Sequence, residues 1–358
     1  MHDGAPEGTG SIVARLLAGA WRLKSPAPAV EPGEFQRIAS LLHQTGAGAL
    51  AWWRIRGTAL AETETGEGLH QAYRLHTLEA ELYTLWLIDA LHRLEAAGVE
   101  ALLIKGWGIA RRYPEIGLRP YSDIDLIVRP GQAEAARSAL AAPPALRCPV
   151  DLHDGPSRVD ALEFDQLAER AEAPPLGARL VRTLGPEDHL RLLALHALRH
   201  GVFRPLWLVD LAVCVEGRPP GFDWERCLGP DRRQAQWVID ALALAERLLG
   251  ARVEDTPAAG RAGTLPGWLT RAVLRSWARG TGTSHLEPVF DALVARRRNP
   301  RLAWAEARRR WDRPIEATLE VGGPFNRLPR WLFQVVAVAR RTPELLRALR
   351  HPGCATSA

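Results

Sequence analysis

Residues 69–153 alternate short apolar runs with helical patterns, and strand signals nearly vanish after residue 160. Together these predict an α+β protein, in which a small mixed β-sheet flanked by helices precedes a mainly helical C-terminal domain. A length of 358 residues, with 47% hydrophobic and 24% charged residues, supports two or three such modules and an ample core.

Residues 1–33 read as one short amphipathic helix and a Pro/Ala linker, SPAPAVEPGE. Residues 34–68 form a helical segment broken at Gly46 and Gly48, then a Thr/Glu/Gly-rich loop. The core is assigned to 69–160. It opens with a helix over 69–97, where Leu75, Leu78, Leu82, Leu85, Ile88, Leu91 and Leu94 make one apolar stripe expected to face inward. Gly98 suits the end of that helix. Three strands follow in VEALLI, SDIDLIV and CPVDLH, with helices predicted at 107–113 and 131–142 between them. Residues 161–358 form the helical domain, with helices expected at 186–200, 204–216, 234–250, 266–279, 286–298, 301–311 and 328–350.

Composition narrows the function. No uncharged apolar run is long enough to span a bilayer, and the acidic start does not resemble a signal peptide, so a cytoplasmic protein with no membrane partner is expected. Four dispersed cysteines, Cys148, Cys214, Cys227 and Cys354, argue against a zinc ribbon or disulfide framework and read as incidental thiols. Net charge is +5, yet the basic residues are scattered or grouped as RRR on helix surfaces, with no aromatic-interleaved stripe. A nucleic-acid partner is therefore not expected. Only two of the 46 basic residues are lysines, which singles out Lys105 in the most motif-like segment.

In SDIDLIV, the period of two puts Asp123 and Asp125 on one strand face, about 7 Å apart. Two such carboxylates repel unless a cation lies between them, and Mg²⁺ bound with substrate phosphates is the usual one. PVDLH offers Asp151 at the same strand position and His153 on its face. Three converging acids suit phosphoryl transfer assisted by two Mg²⁺ ions. Arg119 can clamp phosphate or pair with an acid such as Glu115; Arg111 and Arg112 read as a solvent-facing pair. His196 and His200 share a helix face and Asp210 follows on the next helix, which reads as a structural network more than as a metal site or base. Among the thirteen Trp, Trp107 is placed to stack on a base, and His189 reads as exposed.

The run LLIKGWGIARRYPEIGLRPYSDIDLIVRP resembles the signature of the uncharacterised-nucleotidyltransferase group within the polymerase-β-like nucleotidyltransferase superfamily. VDLHDG resembles its strand with the third carboxylate, and LALHALRHGVFRPLWLVDLAVCVE its helical segment with two His and an Asp. The resemblance implies a nucleotidyltransferase core and catalysis with metal ligation by Asp123, Asp125 and Asp151. It also implies that Lys105, Gly106 and Gly108 form the turn approaching the triphosphate; on their own chemistry and position, Arg119 and His153 are the candidates to touch substrate. The substrates would be an NTP and an acceptor hydroxyl on a small molecule, peptide or protein. The wider superfamily carries Gly-Ser at this turn, where this chain has Lys-Gly-Trp-Gly. That departure keeps a nucleotide-binding module without turnover as the alternative. A DxD glycosyltransferase is disfavoured because mainly helices precede the acid pair, and a P-loop kinase is excluded because its Gly-Lys-Ser/Thr motif is missing.

Overall fold

A computed structural model of the chain describes residues 5–143, 147–155, 163–280 and 313–350. The helices expected at 286–298 and 301–311, and Cys354, lie outside the described residues.

Four helices come first: α1 (Ala5–Leu17), α2 (Pro32–Gln44), α3 (Gly48–Ile55) and the long α4 (Glu64–Ala96). Each start has a physical cause. Pro32 opens α2, where a missing N–H costs nothing, and the Glu31/Glu34 capping box satisfies its first amides. Thr63 caps α4 by accepting from the Gly66 amide.

The sheet follows as β1 (Ala101–Leu103), a single helical turn α5 (Trp107–Ala110), β2 (Ile124–Val128), α6 (Ala133–Ala141) and β3 (Val150–Asp154). The order is β1-β2-β3, with β1 antiparallel and β3 parallel to β2. A parallel neighbour requires a crossover, and α6 supplies it. The free edge of β1 is covered by backbone bonds to Arg182 and Leu184.

Beyond the sheet come α7 (Phe164–Glu169), a short hairpin of β4 (Pro175–Leu176) and β5 (Arg179–Leu180), then α8 (Pro186–Arg199) and α9 (Pro205–Glu216). The chain continues through α10 (Trp224–Leu228), α11 (Arg232–Leu249), α12 (Gly267–Arg279), α13 (Pro314–Glu320) and α14 (Arg330–Arg350). The α+β class expected from the sequence is the class observed.

Two apolar cores lie on opposite faces of the sheet. Leu102, Ile104 and Ile127 join the larger one, which gathers α1, α2, α3, α8, α9, α11 and α12. Leu103, Ile124, Leu126 and Val128 join the smaller one, with Leu87, Ala90 and Leu94 of α4 and Ala136 of α6. Alternation along a strand sends neighbours to opposite faces, so this small sheet is buried on both.

Buried contacts cross the segment boundaries drawn from the sequence. Gly10 of α1 sits so near α12 that a Cβ there would lie 2.1 Å from the Leu274 carbonyl oxygen. Just before the stretch read as a linker, Arg22 donates to both carboxylate oxygens of Glu216 at 2.9 and 2.6 Å, and within that stretch Val30 is buried.

The leucine stripe of α4 is a correction. Only its C-terminal end turns inward; Leu75, Leu78, Leu82 and Leu85 are 47–66% exposed. The buried face in this stretch carries smaller side chains, Ala80 and Ala90 with Leu87, which let the helix approach its neighbours closely. Cys148, Cys214 and Cys227 are free and buried. No helix of the described residues is long and apolar enough to cross a membrane.

Candidate active site

Asp125 lies opposite Asp151 in the β2–β3 register, and Ile127 opposite His153. Asp125 shares a face with Ile127, whose side chain enters the larger core, so the acids look toward α8 and α9. Asp125 is 3% exposed as a residue, whereas the Asp151 side chain is 58% exposed at the rim. His153 Nε2 stands 3.3 Å from Asp151 Oδ2 and 3.8 Å from Asp125 Oδ1. Lys105 Nζ makes an ion pair with that same Asp125 oxygen at 2.7 Å. Lys105 reaches it because β1 pairs with β2, the Ile104 amide donating to the Asp125 carbonyl.

A buried carboxylate needs positive charge nearby. Burial acts to raise the proton affinity of Asp125, but His153 and Lys105 outweigh it and hold the group below the ordinary carboxylate range. Asp123 goes the other way. Burial raises it, the neighbouring charge of Asp125 adds to this, and Lys105 and Arg119 only partly offset it.

Asp125, Asp151 and His153 each offer a ligand atom within 4.8 Å of the others. Asp125 Oδ1 and His153 Nε2 are both buried, and the Lys105 ammonium is the cation that meets this carboxylate oxygen. Two carboxylates with one imidazole suit a divalent metal. Asp123, assigned to the metal from the sequence, stands outside this set; His153, assigned to substrate, stands within it.

The glycine turn is built for proximity. Gly106 adopts φ +56°, and a Cβ there would lie 3.3 Å from the Asp123 carbonyl oxygen. Only glycine fits such a position without strain. Gly108 is different: it is buried against His189, and its amide already donates to the Lys105 carbonyl. The expected helix 107–113 is one turn, 107–110. Trp107 is 5% exposed and packs in the smaller core behind the sheet, so it does not offer a stacking surface.

Arg119 is committed elsewhere. Its Nη2 donates to Asp210 Oδ2 at 2.9 Å and its Nε to Oδ1 at 3.2 Å, while the Tyr113 hydroxyl donates to Oδ1 at 2.7 Å. Burial opposes the charge of Arg119, but Asp210 more than compensates and holds its pKa up. The acid is Asp210, not Glu115, which instead accepts from Tyr73. Asp210 therefore serves the loop before β2 and makes no set with His196 and His200. Those two rings pack on each other and on Trp207, at 4.6, 5.1 and 5.5 Å. Arg111 and Arg112 are largely buried and share Glu172, rather than facing solvent. His189 is 2% exposed, not at the surface; burial, reinforced by Arg112, Arg111 and Arg119, pushes its pKa down to about 3.

Residues 31–143 match the model of a family described as an uncharacterised nucleotidyltransferase. The nucleotidyltransferase match takes in β1, the Gly106 turn and β2, and ends before β3 with Asp151 and His153. No curated protein and no solved structure matches the chain.

Sequence reasoning gave Asp210 a structural hydrogen-bonding role but missed its partners, Arg119 and Tyr113. A signal was present: it is the lone charge inside PLWLVDLAVCV, a helix apolar all round, and such a charge is buried and must be paired.

Proposed function

We propose that this protein transfers a nucleotidyl group from an NTP to an acceptor hydroxyl, releasing pyrophosphate, with Mg²⁺ held by the carboxylates of Asp125 and Asp151 and with His153 beside them. The convergence of those three side chains, beside the turn that the nucleotidyltransferase match covers, carries the reading. A divalent cation bound there would draw charge from the phosphates and make the α-phosphorus easier to attack.

The protein's own groups supply the rest. Asp125, fixed within β2, orients the ligand set. Asp151, open at the rim, is the carboxylate that an incoming acceptor hydroxyl can reach and to which it can pass its proton. Lys105, paired with Asp125, is the cation nearest the acids and would be available to the phosphates with a metal bound. Gly106 keeps the backbone beside Asp123 narrow enough for that approach. The acceptor is a small molecule, peptide or protein.

Incubation with α-labelled NTPs and Mg²⁺ tests the reading. Transfer of label should be lost in Asp125→Asn and on chelation, and equal labelling by wild type and Asp125→Asn would refute it. The Lys105–Asp125 ion pair favours one second reading, a nucleotide-binding module without turnover. Calorimetric NTP binding with no pyrophosphate release for any acceptor would select it.

A further inference from the structure

The site as described gathers three carboxylates, Asp123, Asp125 and Asp151, and a triphosphate brings more negative charge to them. Arg119, the guanidinium expected to meet it, is locked to Asp210. Arg111 and Arg112 are spent on Glu172, Arg129 on Glu100 and Asp165, and Arg170 on Asp188. Arg204 differs from all of these. Among the described residues it has no acidic partner, and its guanidinium meets only the Phe203 ring, 5.6 Å away.

Its position is set by the fold. Arg204 caps α9, whose next residues, Pro205, Leu206 and Trp207, are buried while Arg204 itself is exposed. The start of α9 is bound to the loop that delivers Asp123. Leu206 and Pro120 both close on Gly46, and one turn further on Asp210 grips Arg119. Burial and the charge of Arg119 weaken the hold of Arg204 on its proton, and Asp123 is the carboxylate whose charge works the other way. Beside Arg204, the His196 and His200 rings lean on Trp207. Both imidazoles are held below their ordinary range, first by burial and next by the charge of Lys105.

We propose that Arg204, with His196 and His200 beside it, binds the triphosphate of the nucleotide from the α8–α9 side, opposite Lys105. The proposal rests on the nucleotidyl-transfer reading and adds the wall that the sheet alone does not provide. A fixed cation with hydrogen-bonding imidazoles recognises phosphate oxygens, and the guanidinium can hold two of them at once.

Calorimetry with a non-hydrolysable Mg²⁺–NTP analogue, and with the matching nucleoside, tests it on the full chain. Loss of a charged hydrogen bond predicts analogue binding weakened by about 10- to 100-fold in Arg204→Gln, with partial recovery in Arg204→Lys. Nucleoside affinity and melting temperature should be unchanged, which a merely structural role would not give. Arg204→Gln binding the analogue as wild type does, or losing nucleoside and analogue alike, overturns the proposal. Wild type binding no analogue at all would instead remove the nucleotidyl-transfer reading beneath it.

Discussion

Replacing Asp210 by alanine removes a carboxylate that is fully buried and holds two partners at once, the Arg119 guanidinium and the Tyr113 hydroxyl. The Arg119 side chain is only 12% exposed, so water cannot take over as its counter-charge. Breaking one side of a buried pair costs about 3–5 kcal/mol, and the orphaned Tyr113 hydroxyl adds about 1 kcal/mol. A loss of about 4–6 kcal/mol is expected, within reach of the whole stability of a domain. Urea unfolding at neutral pH measures it, with Arg119→Met alone and Arg119→Met/Asp210→Leu completing the cycle. The double variant should recover at least about 2 kcal/mol relative to the sum of the singles, because no unpaired charge remains. Single variants within about 1 kcal/mol of wild type, or strict additivity, would refute the claim that this pair is buried and mutually dependent.

His189 gives a pH signature. Its pKa in the folded chain is about 3 against 6.5 for an ordinary imidazole, so on acidification the unfolded chain takes up the proton first. Stability is whole above pH 6.5 and is lost as pH falls toward 3; wild type should lose about 2 kcal/mol more than His189→Leu between pH 6.5 and 4.5, read by urea titration. Gly106→Ala forces a side chain into φ +56° against the Asp123 carbonyl. It should cost about 1–2 kcal/mol and lower label transfer while the far-ultraviolet spectrum stays native. Leu78→Lys and Leu85→Lys, on the exposed face of α4, should change unfolding free energy by less than about 0.5 kcal/mol. A loss of more than 2 kcal/mol would show that those leucines are covered.

The acid face was legible because strand alternation is strict: once SDIDLIV and PVDLH are strands, Asp125, Asp151 and His153 follow from the period of two. What alternation could not supply is the register, which sets Asp151 opposite Asp125 and His153 opposite Ile127. Helical periodicity was less decisive. The Leu75–Leu85 stripe is a true stripe, but a stripe does not say which face meets the core, and close packing chose alanines. The Arg119–Asp210 pair spans 91 residues, and Arg204 and Asp123, whose charge acts on it, stand 81 apart (204 − 123). Neither has a local pattern, because both arise only when α9 docks beside the sheet.

The close crossing of α1 on α12 has a consequence in time. Gly10 and Leu274 are 264 positions apart (274 − 10), yet their backbones nearly touch. At synthesis rates of about 5–20 residues per second, the first helix waits roughly 13–50 s for its partner to be made. Throughout that interval α1 can pack on α2 and α3, which follow it closely, but not on α12. The α1–α12 contact is thus available only once the long stretch of chain between the two helices has been made.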